Sequence, residues 1–429
     1  MLSPEEIVAF LFLALFFLEW AVEFLLNEAN LRYARKREIP ELLRARLSPQ
    51  TCERSLAYTV AKGIFERYAE LYGRAVTLAV LFGGVLPALE LFARRLGEAF
   101  PPWTQATGIA FCLGSALLLS LLSLPTDLYY TFVLEERFGF NKTTPALYVS
   151  DKLKALALGL LLGVPFLFVV LTVMEKAGPY WWVYAFLFIA GFEFLLLVLY
   201  PSLIAPLFNR FTPLEEGELR RRIFALAERL GFQTSEIYTM DGSRRSAHSN
   251  AYFTGLGKTK RIVLFDTLLK EATVDQALAV LAHEIGHYQL KHVRKRLALQ
   301  ILLLFAGLYV IGWLVDYPPF FRAFGLAEPS SHGALVLFAL VSGPFTFYLN
   351  PLLNRAARKH EYEADRYAVE KLRDPEALGE ALVKLTATNL ANMTPHPWYS
   401  AYHYSHPALA ERLRAIKSLA PATDESMKN

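Results

Sequence analysis

The chain has 429 residues, of which 54% are hydrophobic, 14% aromatic and 20% charged. This composition is oilier than that of an average soluble protein, and it excludes a disordered chain, a fibrous protein and a soluble globular enzyme. The 44 Lys and Arg residues against 40 Asp and Glu residues give a net charge of +4, so charge predicts no nucleic-acid partner. Cys52 and Cys112 belong to no paired motif, so neither a disulfide framework nor a cysteine metal site is expected.

Long apolar runs indicate a chain that crosses a membrane several times. Seven runs are long enough to span about 30 Å of hydrocarbon as helices. They begin near Ile7, Ala75, Gly108, Leu153, Tyr180, Leu297 and Ala334. Acidic Glu5 and Glu6 precede the first run and no small-residue cleavage site follows it, so we interpret it as a retained anchor rather than a signal peptide.

The distribution of Lys and Arg in the connecting loops predicts the orientation of these spans. Basic residues concentrate in the loop between the first two spans, from Arg32 to Arg74, whereas the next loop offers only Arg94 and Arg95. The positive-inside rule places the first loop in the cytoplasm, and alternation places the insert after the fifth span and the C-terminal tail on the same side. The basic stretch from Arg32 to Arg46 also suits contact with anionic lipid headgroups.

Polar residues within the spans are expected to avoid lipid. Glu19, Glu90 and Glu193 lie inside apolar runs, as does Gln300. A carboxylate that faces lipid costs several kcal/mol, so these groups should face protein or water. The sequence allows two surroundings for these side chains: hydrogen bonds to neighbouring helices, or a water-filled interior.

The insert after the fifth span predicts a small α+β unit. Thr212 to Glu215 form a capping box with Pro213 at the first helical position, so a helix should start there. A second capping box, from Thr273 to Gln276, begins a helix that should continue to about Arg294. Between the two helices lie three predicted strands that form a small sheet with a free edge: Glu236–Met240, 251–253 and Arg261–Phe265.

The second of these helices carries the strongest chemical motif. His283 and His287 enclose Glu284 in the pattern H-E-x-x-H. The two imidazoles are one turn apart and differ by only about 40° around the helix axis, so both can bind one metal ion. The carboxylate of Glu284 then lies where it can act as a general base toward water.

A catalytic zinc site needs a third protein ligand and keeps its fourth position open. His292 lies about 180° around the helix from His283 and cannot be that ligand unless the helix breaks. Glu361 is the better candidate, with Asp365 on the same helix face to orient a ligand imidazole. Pro351 can kink this helix, in which case His360 or Glu363 would replace Glu361.

The topology brings the two halves of this site to one height. Spans six and seven form a hairpin, so their cytoplasmic ends must lie near each other. His287 precedes span six by about ten residues, and Glu361 follows span seven by about eleven. If both helices continue out of the membrane, each residue stands roughly 15 Å from the apolar boundary. The sequence therefore predicts four segments. Residues 1–208 contain spans one to five with the basic loop, and residues 209–296 form the protease insert. Residues 297–350 contain spans six and seven, and residues 351–429 contain the helix with the third ligand and the tail.

With these motifs in order, the chain resembles the type I CAAX prenyl proteases, integral-membrane zinc metalloendopeptidases of the gluzincin class. The resemblance runs from roughly the first span to Ile416. It rests on the segments 136–141 (ERFGFN), 245–253 (RSAHSNAYF), 261–268 (RIVLFDTL), 283–287 (HEIGH), 361–365 (EYEAD) and 404–407 (YSHP).

The resemblance implies an all-α polytopic fold in which seven transmembrane helices enclose a water-filled chamber, with a zincin-like cytoplasmic α+β metalloprotease domain. It implies that one zinc ion binds to His283, His287 and Glu361 and that Glu284 activates water. Three further residues acquire expected roles toward a peptide: Asn250 would hold substrate backbone, and His406 and Arg412 would position the peptide or stabilise the oxyanion. Tyr288 stands where many relatives carry Trp and keeps an aromatic wall beside the substrate.

Three functions are compatible with this sequence. The first is a zinc endopeptidase that acts on lipid-modified CAAX C-termini near the membrane surface, with its active site toward the cytoplasm. The second is a membrane-protein quality-control protease with the same site and broader substrates. The third, a transporter or lipid-binding scaffold with a structural metal, is disfavoured because a structural zinc normally has four protein ligands, often Cys.

Overall fold

A computed structural model of the chain describes residues 1–101, 103–234, 236–254 and 260–419. Its N-terminal half is a bundle of long helices, two of which are extended by π-helical turns at Tyr130–Glu135 and Tyr200–Ile204. The helices of this half are α1 Pro4–Lys36, α2 Glu41–Arg44, α3 Pro49–Phe82, α4 Val85–Glu98, α5 Ala106–Tyr129, α6 Pro145–Lys176, α7 Trp181–Leu199 and α8 Ala205–Phe208.

The insert that follows contains a four-stranded mixed sheet and the helix with the H-E-x-x-H motif. The strands lie in the order β1-β2-β4-β3, with β2 and β4 parallel and the other neighbours antiparallel, so β3 is an edge strand. The elements are β1 Phe211–Pro213, α9 Glu218–Arg229, β2 Glu236–Met240, β3 Ala251–Thr254, β4 Arg261–Phe265, α10 Asp266–Glu271 and α11 Val274–Gln289.

The chain then returns to the bundle and leaves it again through one long helix. These elements are α12 His292–Leu314, α13 Pro318–Arg322, α14 Ser331–Val341, α15 Gly343–Thr346, α16 Asn350–Leu372, α17 Pro375–Thr388, α18 Pro397–His403 and α19 Leu409–Ser418. Buried apolar residues of α9, α11, α16, α17 and α19 pack with the sheet into one core, and a second core lies within the bundle.

The prediction of a chain that crosses a membrane several times is confirmed, with five to seven candidate spans against the seven predicted. Among the described residues, five helices are long and apolar enough to cross a membrane: α1, α5 with its π-helical extension, α6, α7 with α8, and α12. Two further helix pairs pass the same test when each bent pair counts as one span, with bends of 59° between α3 and α4 and of 47° between α14 and the helical segment that continues through α16. The first bend occurs at Gly84, whose φ of +76° is a conformation that side chains rarely adopt.

Glu19 and Glu90, two of the acidic residues in the spans, have basic partners. Glu19 pairs with Arg74 at 3.1 Å, and Glu90 pairs with Arg94 at 2.8 Å. Glu90 is buried, and His332 lies 3.8 Å from it. The first of these pairs joins two different helices, which removes the cost of exposing either charge to lipid.

Two local predictions were wrong. Thr212 and Pro213 do not start a helix but belong to β1, because the backbone N–H of Leu214 donates to the carbonyl of Ile237 and draws the segment onto the sheet. The helix begins at Glu218 instead.

The helix from Thr273 does not continue to Arg294 either. It starts at the predicted capping box but ends at Gln289, and α12 begins at His292. Between them Lys291 has a φ of +60°, a left-handed conformation that interrupts the helix.

Candidate active site

Two helices from different parts of the chain carry the site. α11 is fixed at its start by the capping box, in which Thr273 Oγ1 accepts from Gln276 N at 3.2 Å. A glycine in the motif allows α16 to approach α11 closely, since a Cβ atom on Gly286 would lie 3.1 Å from Tyr367 Cδ1 and 3.3 Å from Ala364 Cα. This contact sets the two helices side by side at the level of the motif.

His283, His287 and Glu361 meet at one point between these helices. The two Nε2 atoms of the histidines are 3.2 Å apart, and Glu361 carboxylate oxygens lie 3.5 Å from His283 Nε2 and 3.2 Å from His287 Nε2. Ligands about 2.1 Å from a tetrahedral ion are separated by roughly 3.4 Å, so these spacings fit a zinc-type site. Glu361 Oε2 is also buried with no hydrogen-bond partner among the described residues, which is what an ion would satisfy.

Asp365 and Arg412 support the first of these histidines. Asp365 is almost fully buried, and its Oδ1 lies 2.8 Å from His283 Nδ1. The Arg412 guanidinium donates to both Asp365 oxygens, at 2.8 and 2.5 Å. Burial lowers the pKa of His283, but hydrogen bonds from the ring to Asp365 and Glu361 outweigh it and raise the pKa to about 9.

Glu284 lies beside this cluster on α11. Desolvation raises the pKa of its carboxyl, although the neighbouring His283 and His287 oppose the shift. A raised pKa brings a carboxylate closer to the value that suits proton transfer near neutral pH. The arrangement can therefore combine a bound metal ion with a general base.

The C-terminal helix and the loop before it complete one wall of a cavity. His406 Nε2 lies 3.4 Å from Glu361 Oε1, and its Nδ1 is 2.9 Å from Ser405 Oγ. Buried Arg412 has its Nη1 atom 3.6 Å from Glu361 Oε2. Both residues line a cavity of about 510 Å³, whose other walls include Tyr58 and Lys62 of α3. The cavity therefore lies beside the cluster, which it meets through His406 and Arg412, and it extends to α3 of the helix bundle.

Among the described residues, no hydrogen bond, ion pair or ring contact joins the side chain of Asn250 or Tyr288 to His283, His287 or Glu361. Asn250 is exposed and directly precedes the edge strand β3, where its backbone carbonyl accepts from Phe265 N at 3.1 Å. Tyr288 packs edge-on against the ring of Phe232, with centroids 5.2 Å apart, and Lys260 Nζ lies 4.0 Å from its centroid.

Sequence reasoning missed a group of residues that hold the segment before Asn250. His248 Nε2 lies 3.2 Å from Glu135 Oε2, its Nδ1 lies 3.1 Å from Asn389 Oδ1, and its ring stacks on Phe140. Glu135 also accepts from the Tyr58 hydroxyl at 2.6 Å. His248 lies within residues 245–253, one of the segments on which the family resemblance rests. Glu135 belongs to the π-helical turn and Asn389 follows the end of α17, and no local sequence pattern marks either residue.

Comparisons with known proteins agree with this architecture. The family model for the CAAX prenyl protease N-terminal segment, described as five membrane helices, matches residues 30–210, and the model of peptidase family M48 matches residues 213–420. CAAX prenyl protease 1 homolog from Arabidopsis thaliana is 38% identical over 396 residues, covering 90% of this chain and 92% of that protein. CAAX prenyl protease 1 from Saccharomyces cerevisiae is 38% identical over 403 residues, covering 88% of each.

A solved structure shows the same fold. The crystal structure of S. mikatae Ste24p matches with a TM-score of 0.88 and 34% identity, covering 97% of this chain and 99% of that one. Membrane-spanning helices and an H-E-x-x-H helix beside a Glu-bearing helix together define a multi-pass membrane metalloprotease. The chain belongs to peptidase family M48.

Proposed function

We propose that this metalloprotease is a zinc endopeptidase that hydrolyses peptide bonds in CAAX-type C-termini of prenylated proteins. The observation that carries the proposal is the spacing of 3.2–3.5 Å among ligand atoms of His283, His287 and Glu361, with Glu284 beside them. The substrate class follows from relatives that are named CAAX prenyl protease 1 and match most of the chain. Its proposed partners are therefore a peptide or lipidated protein as substrate and the lipid bilayer around its helices.

In this mechanism His283, His287 and Glu361 would hold the zinc ion, and Asp365 keeps His283 oriented through its Nδ1 atom. When bound, zinc supplies a Lewis acid that polarises the scissile carbonyl and makes water more acidic. Glu284 takes a proton from the attacking water and returns it to the leaving amine.

The remaining predicted residues act on the peptide in this proposal. Substrate backbone pairs with the edge strand β3, next to the amide of Asn250, and Tyr288 supplies an aromatic wall. His406 or Arg412 stabilises the oxyanion, since both line the cavity beside Glu361.

The active site is proposed to face the cytoplasm. The basic first loop contacts the protease core, because Arg46 pairs with Glu376 at 2.8 Å and with Glu380 at 2.6 Å, both on α17. Loop and site therefore share one side of the membrane, and the positive-inside rule assigns that side to the cytoplasm. The division at residues 208, 296 and 350 stays a prediction.

The test is a comparison of unchanged protein with Glu284→Gln, using paired farnesylated and unfarnesylated CAAX peptides and metal analysis of each preparation. We expect one zinc per chain in both proteins, and a loss of cleavage of about 10²–10⁴-fold in the variant, because a general base contributes that much. Glu370→Gln, an exposed change on α16, is the matched control.

Each part of the proposal has its own contradicting result. Unchanged cleavage by Glu284→Gln removes the general-base assignment. Preparations without zinc remove the metal assignment. Equal cleavage of both peptides, together with cleavage of unrelated sequences, replaces CAAX processing by the broader quality-control activity.

A further inference from the structure

The helix breaks shortly after the H-E-x-x-H motif, and a third histidine, His292, contacts the motif just after the break. On a continuous helix His292 would lie about 180° from His283. The break at Lys291, whose φ of +60° is unusual for a residue with a side chain, ends α11 and turns His292 toward His287. Their Nδ1 atoms lie 3.0 Å apart. A backbone conformation of this kind persists only where the surroundings hold it.

His292 continues the contact to a carboxylate on the other helix of the site. It is 4% exposed, and its Nε2 lies 2.9 Å from Glu363 Oε2 on α16. The resulting chain of contacts runs from the metal-facing Nε2 of His287 through its Nδ1, across the His292 ring and on to Glu363. It parallels the contact between His283 and Asp365 on the other side of the cluster.

The positions of the protons along this chain follow from zinc binding. A neutral imidazole that binds a metal through Nε2 carries its proton on Nδ1. His287 Nδ1–H must then donate, so His292 Nδ1 must accept and the His292 proton lies on Nε2. Glu363 accepts that proton in a hydrogen bond. Every donor on the path meets an acceptor.

We propose, on the basis of the zinc site assigned above, that His292 and Glu363 are positioning residues that fix the tautomer and ring orientation of His287. The two ligand histidines thus have different supporting contacts. Asp365 contacts His283 directly, whereas His287 contacts His292, which in turn contacts Glu363. Neither His292 nor Glu363 touches the substrate or the reacting atoms.

A second metal ion is the alternative occupant of this region. His292, His360 and Glu363 have the composition of a metal site, and their candidate ligand atoms lie within 4.8 Å of one another. Two observations oppose it. The rings of His292 and His360 stack at 4.1 Å with a 13° angle between planes, so their in-plane lone pairs run parallel rather than converging on one ion. A metal on His292 Nε2 would also put a proton on its Nδ1, facing the proton of His287.

The test measures zinc affinity by chelator competition on the full-length purified protein. His292→Phe keeps an aromatic ring but removes the acceptor, and we expect zinc to bind about 10–100-fold more weakly. His292→Asn places an amide oxygen near the former Nδ1 position and should recover part of that loss, because the acceptor for His287 returns while the contact to Glu363 does not. Glu363→Ala should also weaken binding, and the double variant with His292→Phe should be no weaker than His292→Phe alone, because both changes cut one path.

A spectroscopic measurement separates positioning from general loss of structure. In cobalt-substituted protein, His292→Phe should change the visible absorption of the ion and His292→Asn should restore it. His360→Phe, which keeps the stacked ring, should leave the spectrum and the zinc affinity unchanged.

Three results overturn the proposal while the zinc site itself stands. They are unaltered zinc affinity in His292→Phe, an equal loss in His292→Asn, and a second equivalent of zinc that His360→Phe abolishes. If unchanged protein binds no zinc, the proposed function fails together with this inference.

Discussion

At the scale of single residues, the buried ion pair between Asp365 and Arg412 determines the electrostatics of the site. An isolated buried carboxylate is costly, and Arg412 offsets that cost through two hydrogen bonds. Asp365 is therefore charged where it meets His283, and it favours the protonated ring when no metal is present. Protons and metal then compete for the same histidine.

This competition predicts how zinc affinity depends on pH. The pKa of His283 is about 9 because its hydrogen bonds to carboxylates outweigh burial. Zinc needs the unprotonated Nε2, so each pH unit below the pKa should weaken apparent affinity about tenfold, with a plateau above it. Chelator competition across this range measures the slope.

A matched variant checks the cause. Asp365→Asn removes the charge that raises the His283 pKa, so the onset of the slope should move to lower pH. A flat profile in the unchanged protein between about pH 7 and 9, below the raised pKa, would contradict the assignment.

At the scale of secondary-structure elements, His248 connects three parts of the fold that are distant in sequence. It joins the π-helical end of the α5 span through Glu135 and the end of α17 through Asn389. Asn389 Oδ1 also accepts from Ser249 N at 3.1 Å. The segment that leads into β3 is therefore held before a substrate arrives.

Removal of this connection should affect binding more than chemistry. In His248→Ala the segment before Asn250 must become ordered when the peptide binds, and that ordering costs binding free energy. We expect KM to rise roughly tenfold and kcat to change much less. Arg244→Ala, an exposed change in the same segment, is the control. A fall in kcat with constant KM would show that His248 acts on the reaction instead.

The same elements show what sequence can predict here and what it cannot. Apolar length located the spans, and helical spacing placed His283 and His287 on one face, because both depend on local geometry alone. Thr212 and Pro213 carry a valid helix signal, yet pairing with β2 overrides it. The left-handed residue that ends α11 is Lys291 rather than the Gly or Asn typical of such a position, so the sequence does not mark this helix break.

At the scale of the whole molecule, the two larger hydrophobic cores of the described residues are joined by helices that leave the bundle. α12 enters the bundle directly after the motif helix, and α16 leaves it and carries Glu361. The predicted hairpin of spans six and seven is the reason that residues so distant in sequence lie in contact. The site thus depends on the correct assembly of the bundle, and its orientation in the membrane determines which proteins it can meet.

Orientation can be measured with single cysteines in a Cys52→Ser, Cys112→Ser background. Arg44→Cys lies in the basic first loop and Glu328→Cys in the loop between α13 and α14, and both positions are exposed. In vesicles with the cytoplasmic face outward, an impermeant maleimide should label Arg44→Cys and not Glu328→Cys, because the positive-inside rule retains the basic loop in the cytoplasm. Vesicles of opposite sidedness should give the reverse pattern, and permeabilised vesicles should label both. Labelling of Glu328→Cys alone from the cytoplasmic face would place the active site on the opposite side of the membrane.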